Sequence, residues 1–343
     1  MESYPVAIVG AGPIGLEIAV ALQRAGIQYL HLEAKQIGYT VSWFAPQTRF
    51  FSSNERIAIA GVPLVTPDQS KATREQYLAY LRAIVQQFHL KLNTYEPLAN
   101  IHRQDGGFAL LTSSPGGKRT YFCKKLIFAT GGTDRPRRLN IPGDNLPHVS
   151  HYFQDPHTYF DRKLLIIGGK NSAVEAALRS HHAGAHVSIS YRQEKLPEKH
   201  IKYWLIPETL GLIAANRIQA HFRTVPIAIT PTHVKLRRGD DIFDVPADFV
   251  LALIGYEQDN KLFKLAGLKL SDDCSAPIFN PLTMETSIPG IYVAGTSIGG
   301  TQDKYSVFIE NCHVHADRIL AHLTGSPVPQ HAIPPEIREM PES

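Results

Sequence analysis

Four consecutive apolar residues, Val6–Val9, run directly into glycines at positions 10, 12 and 15, after which small and apolar residues recur as far as Leu22. That pattern predicts a short buried strand, a tight turn and a helix packed back on the strand. Gly26 ends the helix, and a second apolar run, Tyr29–Leu32, predicts a strand that stops at Glu33. The succession returns in the middle of the chain. A strand at Leu164–Ile167 leads into Gly168-Gly169-Lys170-Asn171-Ser172-Ala173, then a helix, then a run that ends at Tyr191. Ala173 stands for Gly15, Ala177 for Ala19, Gly184 for Gly26 and Tyr191 for Glu33, at offsets of 4, 11 and 18 in both copies.

Elsewhere the periodicity predicts a helix over Lys71–His89, with Tyr77, Leu81, Ile84, Val85 and Phe88 on its core face. A β-rich stretch follows, with turns at Asp105-Gly106-Gly107 and Pro115-Gly116-Gly117, and it closes on the apolar run into Ala129-Thr130-Gly131. Further strands are expected at Val225–Thr230, His233–Leu236 and Phe249–Ile254. A helix over Phe308–Leu323, stopped by Gly325, is expected to close the fold, and the Pro-rich residues 326–343 to form a loose tail.

Each part of the repeated unit has a mechanical role in holding a dinucleotide. Gly10 permits the turn, Gly12 lets backbone approach a pyrophosphate, and Gly15 lets helix and strand pack closely. The pyrophosphate sits on free N–H groups at the helix N-terminus, and Glu33 is placed to accept from ribose hydroxyls. In the second copy the acid becomes Tyr191, followed by Arg192 with Lys195 nearby, which removes repulsion and offers cations to a 2′-phosphate. The contrast assigns FAD to the first copy and NADPH to the second. Lys170 occupies the second-glycine position, where its Cβ should displace the cofactor slightly and its ammonium help to hold it.

The chain has 343 residues and a formal net charge of +4, with 43% hydrophobic and 19% charged residues, the make-up of a soluble globular protein of two domains. Its basic clusters lack the density of a nucleic-acid stripe, and no apolar run is long enough for a membrane span. Three dispersed cysteines and no secretory leader imply the cytoplasm, and no Cys/His spacing suits a metal.

The run IPGIYVAG after paired fingerprints resembles the thioredoxin-reductase-like flavoproteins, and several stretches narrow the likeness. FFSSNERIAIAGVPL, SHYFQDPHTYFDRKLLIIGGKNSA, IKYWLIP, LIGYEQD and VFIEN resemble the bacillithiol disulfide reductases (YpdA-type) over about residues 5–325. The resemblance implies an α/β protein of two Rossmann-like domains, with an NADPH domain (136–256) inserted into a split FAD domain (1–135 and 257–325). It implies FAD, NADPH, a homodimer or homotetramer, and reduction of a low-molecular-weight thiol disulfide. The residues expected at the first cofactor are Gly10, Gly12, Pro13, Ile14, Gly15, Glu33, Ala34, Thr48, Ser52, Ala129, Thr130, Gly131, Gly295 and Thr296. Those expected at the second are Gly168, Gly169, Lys170, Asn171, Ser172, Ala173, Tyr191, Arg192, Lys195 and Lys202.

The chain departs from that family at its first turn, where members carry a cysteine and this sequence has Ile14. Thr296 replaces the aspartate that thioredoxin reductases use to grip the ribityl chain, and no CxxC occurs. Disulfide chemistry through a protein thiolate would have to use Cys312, and His151 is the candidate acid/base group; both are the expected catalytic positions. Because a ferredoxin or flavodoxin reductase needs no cysteine, a small redox protein is the alternative acceptor. A flavin monooxygenase and an NADPH-sensing flavoprotein without turnover are further alternatives.

Overall fold

The computed structural model describes residues 1–302 and 306–332. The chain divides into two compact units. The first comprises Met1–Ser42, Ser52–Asp134 and Glu257–Ser343, and the second comprises Trp43–Phe51 and Arg135–Tyr256.

In the first unit, β1 (Glu2–Val9) enters α1 (Pro13–Arg24), which returns to β2 (Tyr29–Leu32). β1 pairs in parallel with β2 on one side, with Val9 opposite Leu32. The helix α2 (Arg74–Gln87) starts three residues later than periodicity suggested, because Thr73 and Gln76 form a capping box that fixes the first turn. A meander follows through β3 (Leu98–Gln104), β4 (Gly107–Ser114) and β5 (Gly117–Phe128). The long β5 pairs in parallel with β1 and antiparallel with β4, the latter through its first half alone.

The second unit carries β6 (Val149–Ser150), β7 (Lys163–Ile167), α3 (Asn171–His182), β8 (His186–Tyr191), α4 (Ile206–Ala214) and β9 (Gln219–Phe222). An antiparallel meander, β10 (Val225–Ile229), β11 (His233–Arg238) and β12 (Asp241–Pro246), precedes β13 (Phe249–Ala252). The parallel sheet runs β9-β8-β7-β13-β6, with Ile167 opposite Ala252 and Ser190. Leu165, Ile167 and Val250 from this sheet share a core with Ile229, Val234 and Leu236 of the meander.

The chain then re-enters the first unit, where β14 (Ile291–Val293) joins β5 beyond the end of β4. Leu30, Leu32, Leu126, Phe128, Ile291 and Val293 fill one face of the completed sheet. The expected closing helix is interrupted. Ile309–Asn311 is a 3₁₀ turn, and the α-helix α5 runs only from Val314 to Thr324, stopped by Gly325 in the left-handed conformation. Residues 326–332 are held rather than loose: the Arg318 Nε–H donates to Ala332 O at 2.6 Å and Ala332 is buried. The rest of the expected tail, 333–343, lies outside the described residues.

Candidate functional site

The two glycine turns are built to one plan. Gly10 N–H donates to Leu32 O at 2.8 Å, and Gly168 N–H donates to Ser190 O at 3.0 Å. Both glycines have positive φ, and a Cβ on either would sit 2.4 Å from a carbonyl oxygen of the neighbouring strand end, Ala129 O or Leu253 O. Nothing but glycine fits there. A Cβ on Gly15 would lie 2.0 Å from Gly10 O, whereas Ala173 is accommodated at the matching position, with its Cβ 3.1 Å from where a Cβ on Gly168 would be.

Gly12 and Lys170 differ from these. They cap α1 and α3 with extended backbones, φ −75° and −100°, which any residue adopts. A Cβ on Gly12 would meet no protein atom within 4 Å. The fold itself therefore places no steric demand for glycine at that position. No side chain caps either helix, and the first intrahelical bonds are Leu16 N–H to Gly12 O and Val174 N–H to Lys170 O, both 3.0 Å. The earlier N–H groups lack intrahelical acceptors, as an anion-binding helix start requires.

Past each turn the second strand delivers different chemistry. Glu33 Oε2 accepts from Ala11 N–H at 2.7 Å and its Oε1 from Lys35 N–H at 2.8 Å. Burial pushes this carboxyl above its ordinary value, although the N–H groups of Ala11, Lys35 and Ala34 pull it down. In the second unit Tyr191 instead lies against Gly169, and Arg192 and Lys195 are exposed beyond it. These residues fit the two cofactors: a ribose acceptor in one unit, and in the other a strand end with Tyr191 in place of the acid, followed by Arg192 and Lys195, while Glu194 between them is paired with Arg223.

The remaining expected residues fall into two groups. Ala129, Thr130, Gly131, Gly295 and Thr296 converge at the ends of β5 and β14 in the first unit. A Cβ on Gly132 would lie 2.6 Å from Thr296 O, and one on Gly295 would lie 3.3 Å from Ile14 Cβ. Pro13 begins α1, Ala34 is exposed and Ser52 is half-buried in the same unit. Thr48 belongs to the other unit, where its Oγ1 accepts from Arg179 Nη1 at 3.3 Å. Lys202 is buried and donates to Glu175 Oε2 at 2.7 Å and to Arg49 O at 2.9 Å. Asn171 Oδ1 accepts from the Lys202 N–H at 2.6 Å, while Ser172 is exposed.

Cys312 has no accessible surface, and burial, with Glu17 second, drives its thiol far above the ordinary value. Cys123 is likewise buried and pushed up to about 12. His151 is buried, with its Nε2 3.2 Å from Asp144 Oδ1.

Sequence reasoning missed two buried side chains at the β5–β14 end. Gln258 Nε2 donates to Gly131 O at 3.0 Å and to Ser297 O at 2.8 Å, which ties the end of β5 to the turn after β14. His315 Nδ1 accepts from Gly295 N–H at 3.1 Å. Gln258 lies in the LIGYEQD stretch, so a signal existed; for His315 a single sequence offers none. Among the described residues no cluster of His, Cys, Asp and Glu could hold a metal, and no helix is long and apolar enough to cross a membrane.

A profile of the pyridine nucleotide-disulphide oxidoreductase family matches residues 7–295. Bacilliredoxin reductase Bdr of Bacillus subtilis is 34% identical, with 92% of this chain and 96% of that one covered. The structure of the bacillithiol disulfide reductase Bdr (YpdA) of Bacillus cereus superimposes with a TM-score of 0.90 at 33% identity, over 94% of this chain and 99% of that one. A ferredoxin–NADP reductase of Ignicoccus hospitalis is 25% identical, over 84% and 88% of the two chains. The chain belongs to the pyridine nucleotide-disulphide oxidoreductase family, on the bacillithiol disulfide reductase branch, and is an oxidoreductase that uses FAD and NADPH.

Proposed function

We propose that this member of the family reduces the disulfide of a low-molecular-weight thiol of the bacillithiol type, with FAD seated in the first unit (1–135 and 257–325) and NADPH in the second (136–256). The observation that carries the reading is the near full-length likeness to two Bdr proteins. In the balanced reaction one NADPH and one proton deliver two electrons to one disulfide. The S–S bond breaks, two thiols form, and NADP⁺ leaves.

When bound, the two cofactors supply hydride transfer from nicotinamide to flavin. The chain supplies placement. The start of α1 and Glu33 hold the pyrophosphate and adenosine ribose of FAD, and the start of α3 with Lys170 holds the pyrophosphate of NADPH. Arg192 and Lys195 face its 2′-phosphate. The disulfide is reduced without a protein thiolate, because Cys312 is sealed from solvent with its thiol held protonated and Ile14 fills the first turn. His151 is buried beside Asp144 and is given no catalytic role in this reading. The protein works in the cytoplasm as a homodimer or homotetramer.

The burial of Cys312 and the absence of a cysteine at position 14 favour one second reading, a reductase whose acceptor is a small redox protein such as ferredoxin or flavodoxin. Steady-state NADPH oxidation separates the two. Bacillithiol disulfide should support turnover with two free thiols released per NADPH. Turnover with ferredoxin alone would establish the second reading instead.

A further inference from the structure

The turn after β14 depends on one side chain that the cofactor assignments leave unused. β14 is paired with β5 as far as Val293, and Ala294 N–H still donates to Phe128 O at 2.8 Å. Gly295 is the first residue past the sheet. It is buried, has φ +70°, and opens the 3₁₀ turn Gly295–Gly299 that carries Thr296. Its N–H therefore has no strand acceptor, and a buried orphan N–H is unfavourable. His315, the second residue of α5, meets that need with Nδ1 at 3.1 Å.

The bond fixes the state of the imidazole. Nδ1 accepts, so the proton sits on Nε2 and the ring is neutral. Burial, then Arg318 and His313, push its pKa down to about 3, so the ring stays a neutral acceptor at neutral pH. A cation at the start of α5 would also oppose the helix dipole. On the other side of Gly295 lies Ile14 in the first turn of α1, 3.3 Å from where a glycine Cβ would stand. Gly295 is thus held between an imidazole of α5 and the helix start that faces the dinucleotide.

We propose that His315 is a positioning residue for FAD: by holding the Gly295 amide it sets the Gly295–Gly299 turn at the spacing from α1 that the bound flavin requires. The inference rests on FAD being seated in the first unit.

Two polar substitutions test it with little perturbation of packing. In His315→Asn the side-chain oxygen falls near the position of Nδ1, and in His315→Gln it falls near that of Nε2. FAD release from the purified full-length holoprotein is followed by flavin fluorescence on dilution, with circular dichroism confirming the fold and the visible flavin spectrum recorded for each variant. H315Q is expected to weaken FAD binding by about tenfold and to alter the flavin band, while H315N stays within about threefold of the unsubstituted protein. Equal FAD affinity and spectra in H315N and H315Q would overturn the inference. Gly12→Val serves as the control for the seat. If G12V retains FAD, the seating in the first unit is wrong; if G12V loses FAD and H315Q does not, the seating stands and His315 has no positioning role.

Discussion

Tyr191 closes over Gly169 so tightly that a Cβ there would stand 2.6 Å from the ring, whereas at the same place in the other unit Glu33 accepts a hydrogen bond from Ala11. Positions 169 and 11 are equivalent in the two turns, and so are 191 and 33. One strand end thus presents a carboxylate, while the other presents a ring with Arg192 and Lys195 exposed beyond it. On this difference rests the proposal that the first turn takes FAD and the second NADPH.

The cations should set coenzyme choice. In the double variant Arg192→Ala, Lys195→Ala, kcat/KM for NADPH should fall by at least about tenfold, because charge-assisted bonds to the 2′-phosphate are lost. For NADH it should stay within about twofold. An equal loss with both coenzymes would show that neither side chain reads the phosphate.

The glycines should divide into two kinds. Gly15→Ala and Gly168→Ala force a Cβ onto Gly10 O or Leu253 O and should lower stability by about 2 kcal/mol or more in urea unfolding. Gly12→Ala has an ordinary backbone and open space, so its stability should change by less than about 0.5 kcal/mol while FAD binding weakens. A stability loss in G12A as large as in G15A would mean that the fold, and not the ligand, demands glycine there.

Much of this was legible because βαβ geometry is stiff. Once the turn is fixed, the helix length dictates that position 18 after the third small residue ends the next strand, which is why Glu33 and Tyr191 could be paired by counting. The strands around positions 225, 233 and 249 were likewise readable from local apolar runs. What escaped depends on contacts distant in sequence. Nothing local reports that Trp43–Phe51 belongs with the second unit, since it is bound there by Arg179 and Lys202 and by Trp43 packing on Tyr152 and Tyr256. Gln258 and His315 each serve a carbonyl or amide on another segment, and β12, with Asp241, Asp244 and Pro246, lacks the apolar run that announces a strand.

Lys202 tests the value of that packing. Removing its ammonium leaves the Glu175 carboxylate with Arg179 3.9 Å away, so Lys202→Met should lower stability by about 2 kcal/mol. KM for NADPH should change by less than about twofold in the folded variant. A tenfold rise in KM with unchanged stability would make Lys202 a cofactor ligand instead.

Acid should destabilise the first unit through two buried imidazoles. Burial pushes His31 down to about 4, against the pull of its bond to Gly10 O, and His315 down to about 3; the ordinary value is 6.5. Between those values the unfolded chain binds up to two more protons than the folded one, so stability rises with pH there and is lost as pH falls from about 6.5 toward 4. His313 acts in the opposite sense above that window: burial lowers it, but Glu17 and Arg56 O outweigh burial and raise it. Urea unfolding at about pH 7, 6 and 5 should show the loss, and His31→Leu should reduce its slope by about one proton. An unchanged slope in H31L would contradict the assignment.

The claim that disulfide reduction proceeds without a protein thiolate is tested most directly by flavin reoxidation. The enzyme is reduced anaerobically with NADPH, mixed with bacillithiol disulfide, and the return of the oxidised flavin band is timed for the unsubstituted protein and for Cys312→Ala. Both should reoxidise, at rates within about twofold of each other, as a buried protonated thiol would not be used. Loss of reoxidation in C312A alone would restore the cysteine relay, and no reoxidation by the disulfide in either protein would contradict the proposed substrate.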